Sequence, residues 1–153
     1  MEILKPIKIL LIVLLSSIFI WGLSRNLPNS RAPIPPGAIR WEVLDVSDAD
    51  KQADANLIYL NQGQTILIDS GQRSDRLLPR LNDRKITRID KIFISHPHKD
   101  HYDGIPSLLS GGISIGEVYL NWPPQTICDS EIPWGCDLKD LEELKAKLAT
   151  FGI

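Results

Sequence analysis

The chain has 153 residues, with 17 lysines and arginines against 19 aspartates and glutamates and a formal net charge of −2 when histidine is neutral. This length allows one ordinary domain at most, and the near-balance of charge gives no compositional argument for nucleic-acid binding. A hydrophobic fraction of 43% and a charged fraction of 24% exclude wholesale disorder. Two cysteines exclude a disulfide-rich scaffold and a four-cysteine zinc site.

The N-terminal segment is strongly apolar. Residues 9–23 (ILLIVLLSSIFIWGL) carry no charge and follow Lys5 and Lys8. As a helix this run would extend about 22 Å, which is less than the roughly 30 Å of a bilayer core. Residues 1–23 are therefore predicted to be a signal peptide or a transmembrane anchor, with a buried core helix as the alternative. The two lysines favour a cytoplasmic N-terminus, so we expect membrane contact through residues 7–23 and an anchored or exported domain outside the cytoplasm.

A proline-rich linker is predicted next. Residues 24–38 (SRNLPNSRAPIPPGA) contain four of the eleven prolines and show no apolar periodicity. Such a composition is typical of an extended, semi-rigid spacer. The folded domain is expected to cover residues 39–153.

Strand and helix patterns alternate along the predicted domain. Apolar runs bounded by turn residues predict strands at 39–46, 56–60, 65–68, 91–95 and 118–120. Periodic leucines predict helices at 73–82 and at 137–151, and Asp103 as N-cap with Gly111-Gly112 as a stop predicts a helix at 103–109. Strands followed by helices, with the pair repeated, predict a layered α/β or α+β fold.

All three histidines lie within one short segment. Residues 95–104 read SHPHKDHYDG and contain His96, His98 and His101 together with Asp100, directly after a predicted strand. A lone loop histidine is usually solvated, but three clustered with an aspartate are hard to obtain by chance. Imidazoles and a carboxylate suit zinc, iron or manganese, and an ion held in this way can activate a bound water as a nucleophile.

The His-x-His-x-Asp-His pattern at 96–101 resembles the signature of the metallo-β-lactamase fold superfamily. Leu44-Asp45-Val46, the segment TILIDSG at 65–71 and the segment ISHPHKDHYDG at 94–104 are similar to the hydrolase domain of ComEC/Rec2 competence proteins. The resemblance covers about residues 40–122. It implies an αββα sandwich fold.

The resemblance also implies roles for the residues that match. His96 and His98 would bind a first metal ion, Asp100 and His101 a second, and Asp100 would also act in catalysis by handling protons. The implied cofactor is zinc, as one or two divalent ions, with manganese or iron as alternatives. Asp69 would support the metal loop without binding metal, although a turn-forming aspartate before Gly71 explains it equally well.

The chain also departs from the family pattern. The family uses a later histidine for each metal and an aspartate that bridges both, but no histidine follows His101. Asp129, Asp137 and Asp140 are better explained as surface charges. We therefore expect the first, incomplete half of the αββα sandwich, with one inner sheet face uncovered.

Three functional hypotheses follow, the third of which is a plain membrane-anchored binding module. The first is a metal-dependent hydrolase of ComEC/Rec2 type, in which metal-activated water attacks an ester or phosphodiester of a small molecule or, as the resemblance implies, of single-stranded DNA. The alternative is an inactive truncated fragment or an accessory subunit of a DNA-uptake or envelope complex. In a domain outside the cytoplasm, Cys128 and Cys136 are candidates for a disulfide, with two ordinary loop thiols as the alternative.

Overall fold

The structure of the protein is a computed structural model that describes residues 33–47, 53–72, 74–131 and 135–153. The predicted anchor or signal peptide at 1–23 and all but the end of the 24–38 linker lie outside these residues. Within the ranges described, no helix has the length and apolar character needed to cross a bilayer.

Five strands form one mixed sheet in which chain order and spatial order agree. The strands are β1 (Ile39–Val43), β2 (Asn56–Leu60), β3 (Thr65–Ile68), β4 (Arg88–Ile94) and β5 (Ser114–Leu120). The first three pair antiparallel, whereas β3, β4 and β5 run parallel. Because parallel strands end at the same edge of a sheet, the residues after β3 and β4 are brought together there.

Five helices are present in the described residues. They are α1 (Ser74–Asp83), α2 (Lys99–Tyr102), α3 (Ile105–Ser110), α4 (Gln125–Ser130) and α5 (Leu138–Thr150). The crossover from β3 to β4 contains α1, and the crossover from β4 to β5 contains α2 and α3. The Asp137 side chain accepts a hydrogen bond from the backbone N–H of Lys139 at 2.8 Å, which caps the start of α5.

The strand and helix predictions agree with the structure in order but not in every bound: β1 ends at Val43 rather than at 46, and β5 begins at Ser114 rather than at 118. Helices α2 and α4 were not predicted, since four and six residues are too short to show periodicity. The prediction that Asp103 caps a helix was wrong: Asp103 ends α2 by donating its N–H to the carbonyl of Lys99, and Gly104 precedes α3. Because the short helix α2 extends to Tyr102, the N-cap position of α3 falls on Gly104, one residue after Asp103.

The core lies on one face of the sheet. Leu57, Leu67 and Ile92 occupy aligned positions on β2, β3 and β4 and are fully buried. The same apolar cluster contains the buried leucines and isoleucines of the helices, namely Leu77, Leu81, Ile105, Leu108, Leu141 and Leu144. The helices therefore cover this face, and the fold is one mixed sheet with its helical layer.

The opposite face of the sheet carries several exposed apolar side chains. Ile39, Trp41 and Val43 on β1 are 59%, 63% and 75% exposed, and Phe93 on β4 stacks on Tyr119 of β5 at a ring-centroid distance of 4.8 Å. The registers place all five side chains on this one face. The αββα prediction assigns a second sheet to such a surface, whereas the described residues contain one sheet.

One carboxylate links the start of β3 to β4. Asp90 accepts a hydrogen bond from the backbone N–H of Thr65 at 2.8 Å and another from Nε of Arg88 at 2.8 Å. The Thr65 hydrogen bond, followed by that of Arg88, lowers the pKa of Asp90 below its ordinary value. The charged form is thus favoured in the folded protein.

We expect Asp90→Ala to lower the free energy of unfolding by about 1–3 kcal/mol near neutral pH, because the N–H of the buried Thr65 loses its acceptor. Since folding lowers the Asp90 pKa, the ionic part of this stabilisation is complete above the unfolded value, near pH 4, and is lost as pH falls through the folded value. Urea unfolding at pH 7 and in steps down to pH 2.5 measures both effects. Asp90→Asn keeps an acceptor oxygen, so its loss should be smaller; an equal loss in both variants, or one independent of pH, would contradict the assignment.

Candidate metal site

The candidate site lies at the edge where β3 and β4 end. The segment after β3 is joined to the histidine segment after β4 by backbone hydrogen bonds: Ser70 N–H donates to His101 O at 2.7 Å, and Gly104 N–H donates to Gly71 O at 2.9 Å. Both segments are therefore held in register by backbone contacts that do not depend on the side chains of the histidines.

The Asp69 carboxylate is at the centre of the site. It accepts hydrogen bonds from the backbone N–H of Ser95 at 2.8 Å, from Ser95 Oγ at 2.7 Å and from His101 Nδ1 at 2.9 Å. Asp69 is 4% exposed and His101 is 8% exposed. Since an ionised carboxylate only accepts, Nδ1 of His101 carries the hydrogen of this bond, and in the neutral imidazole Nε2 holds the lone pair that a metal would use.

Ser95 extends this hydrogen-bond network to His96. Its single hydroxyl hydrogen is donated to Asp69, so Ser95 Oγ acts as the acceptor toward Nδ1 of His96, 3.0 Å away. That arrangement again leaves Nε2 with the lone pair. Burial, and then the adjacent imidazoles of His101 and His98, lowers the pKa of His96 below its ordinary value. His96 is therefore neutral at physiological pH, which is the form that binds metals.

The predicted site residues adjoin one another. The His96 ring lies 3.7 Å from the His101 ring and 4.5 Å from the His98 ring between centroids. Asp100 Oδ2 is 3.5 Å from His101 Nε2, and the Asp100 side chain is 35% exposed. The structure thus brings His96, His98, Asp100 and His101 together, with Asp69 beneath them.

The donor set fits a divalent transition ion in kind: three imidazoles, two of which have Nε2 lone pairs fixed by Nδ1 hydrogen bonds, and one accessible carboxylate. In the part of the chain that the structure describes, no group of three or more His, Cys, Asp or Glu side chains is arranged to hold an ion. The packed rings would have to turn for their lone pairs to converge.

The other candidate aspartates have separate partners. Asp137 caps α5, Asp140 accepts a hydrogen bond from Lys99 Nζ at 2.8 Å, and Asp129 accepts one from Gln125 Nε2 at 2.7 Å. Sequence reasoning missed two residues of the site, Ser95 and Glu131. The sequence carries no signal for Glu131, which contacts His98 across 33 positions.

The two cysteines form a disulfide. Cys128 in α4 and Cys136 close a loop with a sequence separation of 8 residues, and both are buried. Of the two alternatives, disulfide or free thiols, the structure has the disulfide. The closed loop contains Glu131, whose Oε2 lies 2.9 Å from His98 Nε2.

Comparison with known proteins gives partial matches. A family described as "Anti-Pycsar protein Apyc1" matches residues 46–111. Ribonuclease Z of Treponema pallidum (strain Nichols) is 36% identical over 74 residues, which cover 46% of this chain and 24% of that protein. Ribonuclease Z of Thermococcus kodakarensis is 44% identical over 50 residues, covering 31% of this chain and 15% of that protein. The crystal structure of the BLEG-1 B3 metallo-β-lactamase has a TM-score of 0.41 and 17% identity, covering 50% of this chain and 35% of that one.

The chain spans about a quarter of the length of the curated relatives it matches, or less. The similarity to ribonuclease Z supports the metallo-β-lactamase fold for the matched part of the chain. It does not distinguish the ComEC/Rec2 branch from others that share this fold.

Proposed function

We propose that this chain carries the histidine-rich metal loop of a metal-dependent phosphodiester hydrolase with the metallo-β-lactamase fold. The observation that carries the proposal is the hydrogen-bond network around Asp69. Its carboxylate binds Nδ1 of His101 and the hydroxyl of Ser95, and Ser95 in turn contacts Nδ1 of His96. Metal-binding histidines commonly donate their second ring N–H to a carboxylate or other acceptor in this way.

In this proposal His96, His98, Asp100 and His101 hold one or two divalent ions, with zinc, manganese or iron as the candidates. A bound ion would supply Lewis acidity and would lower the pKa of a coordinated water. Asp100 is the residue we assign to proton handling, because its carboxylate stands beside His101 Nε2 and remains partly open to solvent. Asp69 orients His101 from below.

Phosphodiesters are the favoured substrate class. Ribonuclease Z is by its name an RNA-cleaving enzyme, and the bond cut in RNA is a phosphodiester. The sequence resemblance to ComEC/Rec2 hydrolase domains indicates the same bond, with single-stranded DNA as the proposed polymer. The αββα sandwich and the ComEC/Rec2 branch are part of this proposal.

We also propose that the domain lies outside the cytoplasm, either exported or anchored through residues 7–23. The Cys128–Cys136 disulfide supports this location, because disulfides persist in oxidising compartments and are rare in the cytosol.

The proposal is tested on the purified full chain. After dialysis against Zn²⁺ or Mn²⁺ and removal of free ions, elemental analysis should find bound metal, and His96→Ala should weaken its binding at least tenfold. Hydrolysis of bis(p-nitrophenyl) phosphate should require the metal and should fall at least 100-fold in Asp100→Asn, whereas p-nitrophenyl acetate should be a poorer substrate. Hydrolysis assays with single-stranded DNA and RNA oligonucleotides then show which of the two polymers is cleaved faster.

Glu143→Gln is the matched control, because Glu143 is a 67% exposed carboxylate on α5 outside the cluster. This variant should match the wild type in metal content and in activity. Absence of bound metal, or equal binding by His96→Ala and the wild type, would overturn the metal site. Bound metal without metal-dependent hydrolysis would overturn the enzyme assignment in favour of an accessory subunit.

A further inference from the structure

Each of the three histidines has one ring nitrogen engaged by a neighbouring oxygen. For His101 and His96 the engaged atom is Nδ1, which contacts Asp69 and Ser95 respectively. His98 is reversed: its Nε2 lies 2.9 Å from Glu131 Oε2, so the ring nitrogen not bonded to Glu131 is Nδ1. The three rings are thus oriented by three different acceptors from three segments of the chain.

The loop around Glu131 brings the carboxylate to this position. Glu131 follows α4, and its backbone N–H donates to Cys128 O at 3.3 Å. The Cys128–Cys136 disulfide joins the two ends of the loop that contains Glu131. Gly135 completes the arrangement, because a Cβ at this position would lie 2.3 Å from Cβ of Glu131 and 3.1 Å from its Oε2. The glycine leaves the space that the Glu131 side chain occupies.

We propose that Glu131 is a positioning residue that holds His98 by Nε2 and so presents Nδ1 to the ion. This inference rests on the proposed function and adds one residue to it. A carboxylate that accepts the N–H of a ligating imidazole fixes the ring and raises the basicity of the other nitrogen, and its loss typically weakens metal binding 10–100-fold. Glu131 thereby has toward His98 the role that Asp69 has toward His101.

A plain surface ion pair is the competing explanation of this contact. The His98 and Glu131 side chains are 30% and 41% exposed, and exposed pairs contribute little to stability. The two explanations differ in what they predict: an ion pair acts through its charge, which Glu131→Gln removes, whereas a positioning role acts through the acceptor oxygen, which Glu131→Gln keeps.

The experiment uses the full chain labelled with ¹⁵N-histidine and loaded with Zn²⁺. Long-range ¹H–¹⁵N spectra identify which nitrogen of each ring binds the ion, and calorimetry measures the affinity. We expect His98 to bind through Nδ1 with Nε2 protonated, and Glu131→Ala to weaken Zn²⁺ binding 10–100-fold. Glu131→Gln keeps an acceptor oxygen and should recover most of the affinity.

Two further variants separate positioning from charge. Gly135→Ala keeps the Glu131 carboxylate but displaces it, so it should weaken binding as Glu131→Ala does. Asp129→Ala removes a carboxylate from the same loop and should bind Zn²⁺ as the wild type does; circular dichroism verifies that each variant is folded. Zinc bound through Nε2 of His98, or an affinity that Glu131→Ala leaves unchanged, would overturn the inference alone. Failure of the wild type to bind Zn²⁺ would overturn the proposed function and this inference with it.

Discussion

Gly104→Ala is expected to lower the free energy of unfolding by about 2–4 kcal/mol. A Cβ at position 104 would lie 2.2 Å from the carbonyl oxygen of Ser70 and 3.0 Å from its carbonyl carbon. Both are backbone atoms of the segment after β3, which is held in place because the Ser70 N–H donates to His101 O and the Gly104 N–H donates to Gly71 O. The methyl group can be accommodated only if the two segments of the candidate site move apart.

Gly111→Ala is the matched comparison, since it adds the same methyl group at the end of α3. Its Cβ would meet the Leu78 methyl groups at 2.5 and 2.8 Å, and the end of a flexible side chain can rotate away. Denaturant unfolding should therefore show a smaller loss for Gly111→Ala than for Gly104→Ala. Equal losses would mean that the Ser70 contact does not constrain Gly104.

Asp69→Asn should lower the free energy of unfolding by about 2–4 kcal/mol even without metal. Three donors, from Ser95 and His101, converge on the two oxygens of a carboxylate that is 4% exposed. Asparagine replaces one of these acceptor oxygens with an N–H₂ group, so at least one buried donor then faces another donor. Asparagine otherwise has the shape of aspartate and tolerates the positive φ of 58° at this position, so the lost acceptor is the main change.

Asp100→Asn provides the contrast, because it makes the same chemical change on a side chain that is 35% exposed. Urea unfolding of the metal-free proteins should find Asp100→Asn within about 0.5 kcal/mol of the wild type. Zinc binding should weaken in both variants. If Asp69→Asn had the same free energy of unfolding as the wild type, the Asp69 carboxylate would not be the centre of the hydrogen-bond network.

The histidine segment was visible from the sequence because all its members lie within six positions of one another and directly follow an apolar strand. Asp69 could be proposed only through the family resemblance, because its partners His101 and Ser95 are 32 and 26 positions away. Residues as far apart as these meet through the pairing of β3 with β4, which no local pattern encodes. The prediction that Asp103 begins a helix was wrong for a related reason. The Asp103 N–H donates to Lys99 O, so Asp103 ends α2 instead of capping the start of α3.

By itself the sequence determined the alternation of strands and helices and the grouping of three imidazoles with Asp100, since both depend on neighbours along the chain. Tertiary structure alone decided which ring nitrogen of His101 and of His98 is engaged, because the acceptors Asp69 and Glu131 come from distant segments. It also decided that one sheet face is buried beneath helices while Trp41, Phe93 and Tyr119 are left exposed on the other. Both faces carry large apolar side chains, so the packing of the helices decides which of these side chains are buried.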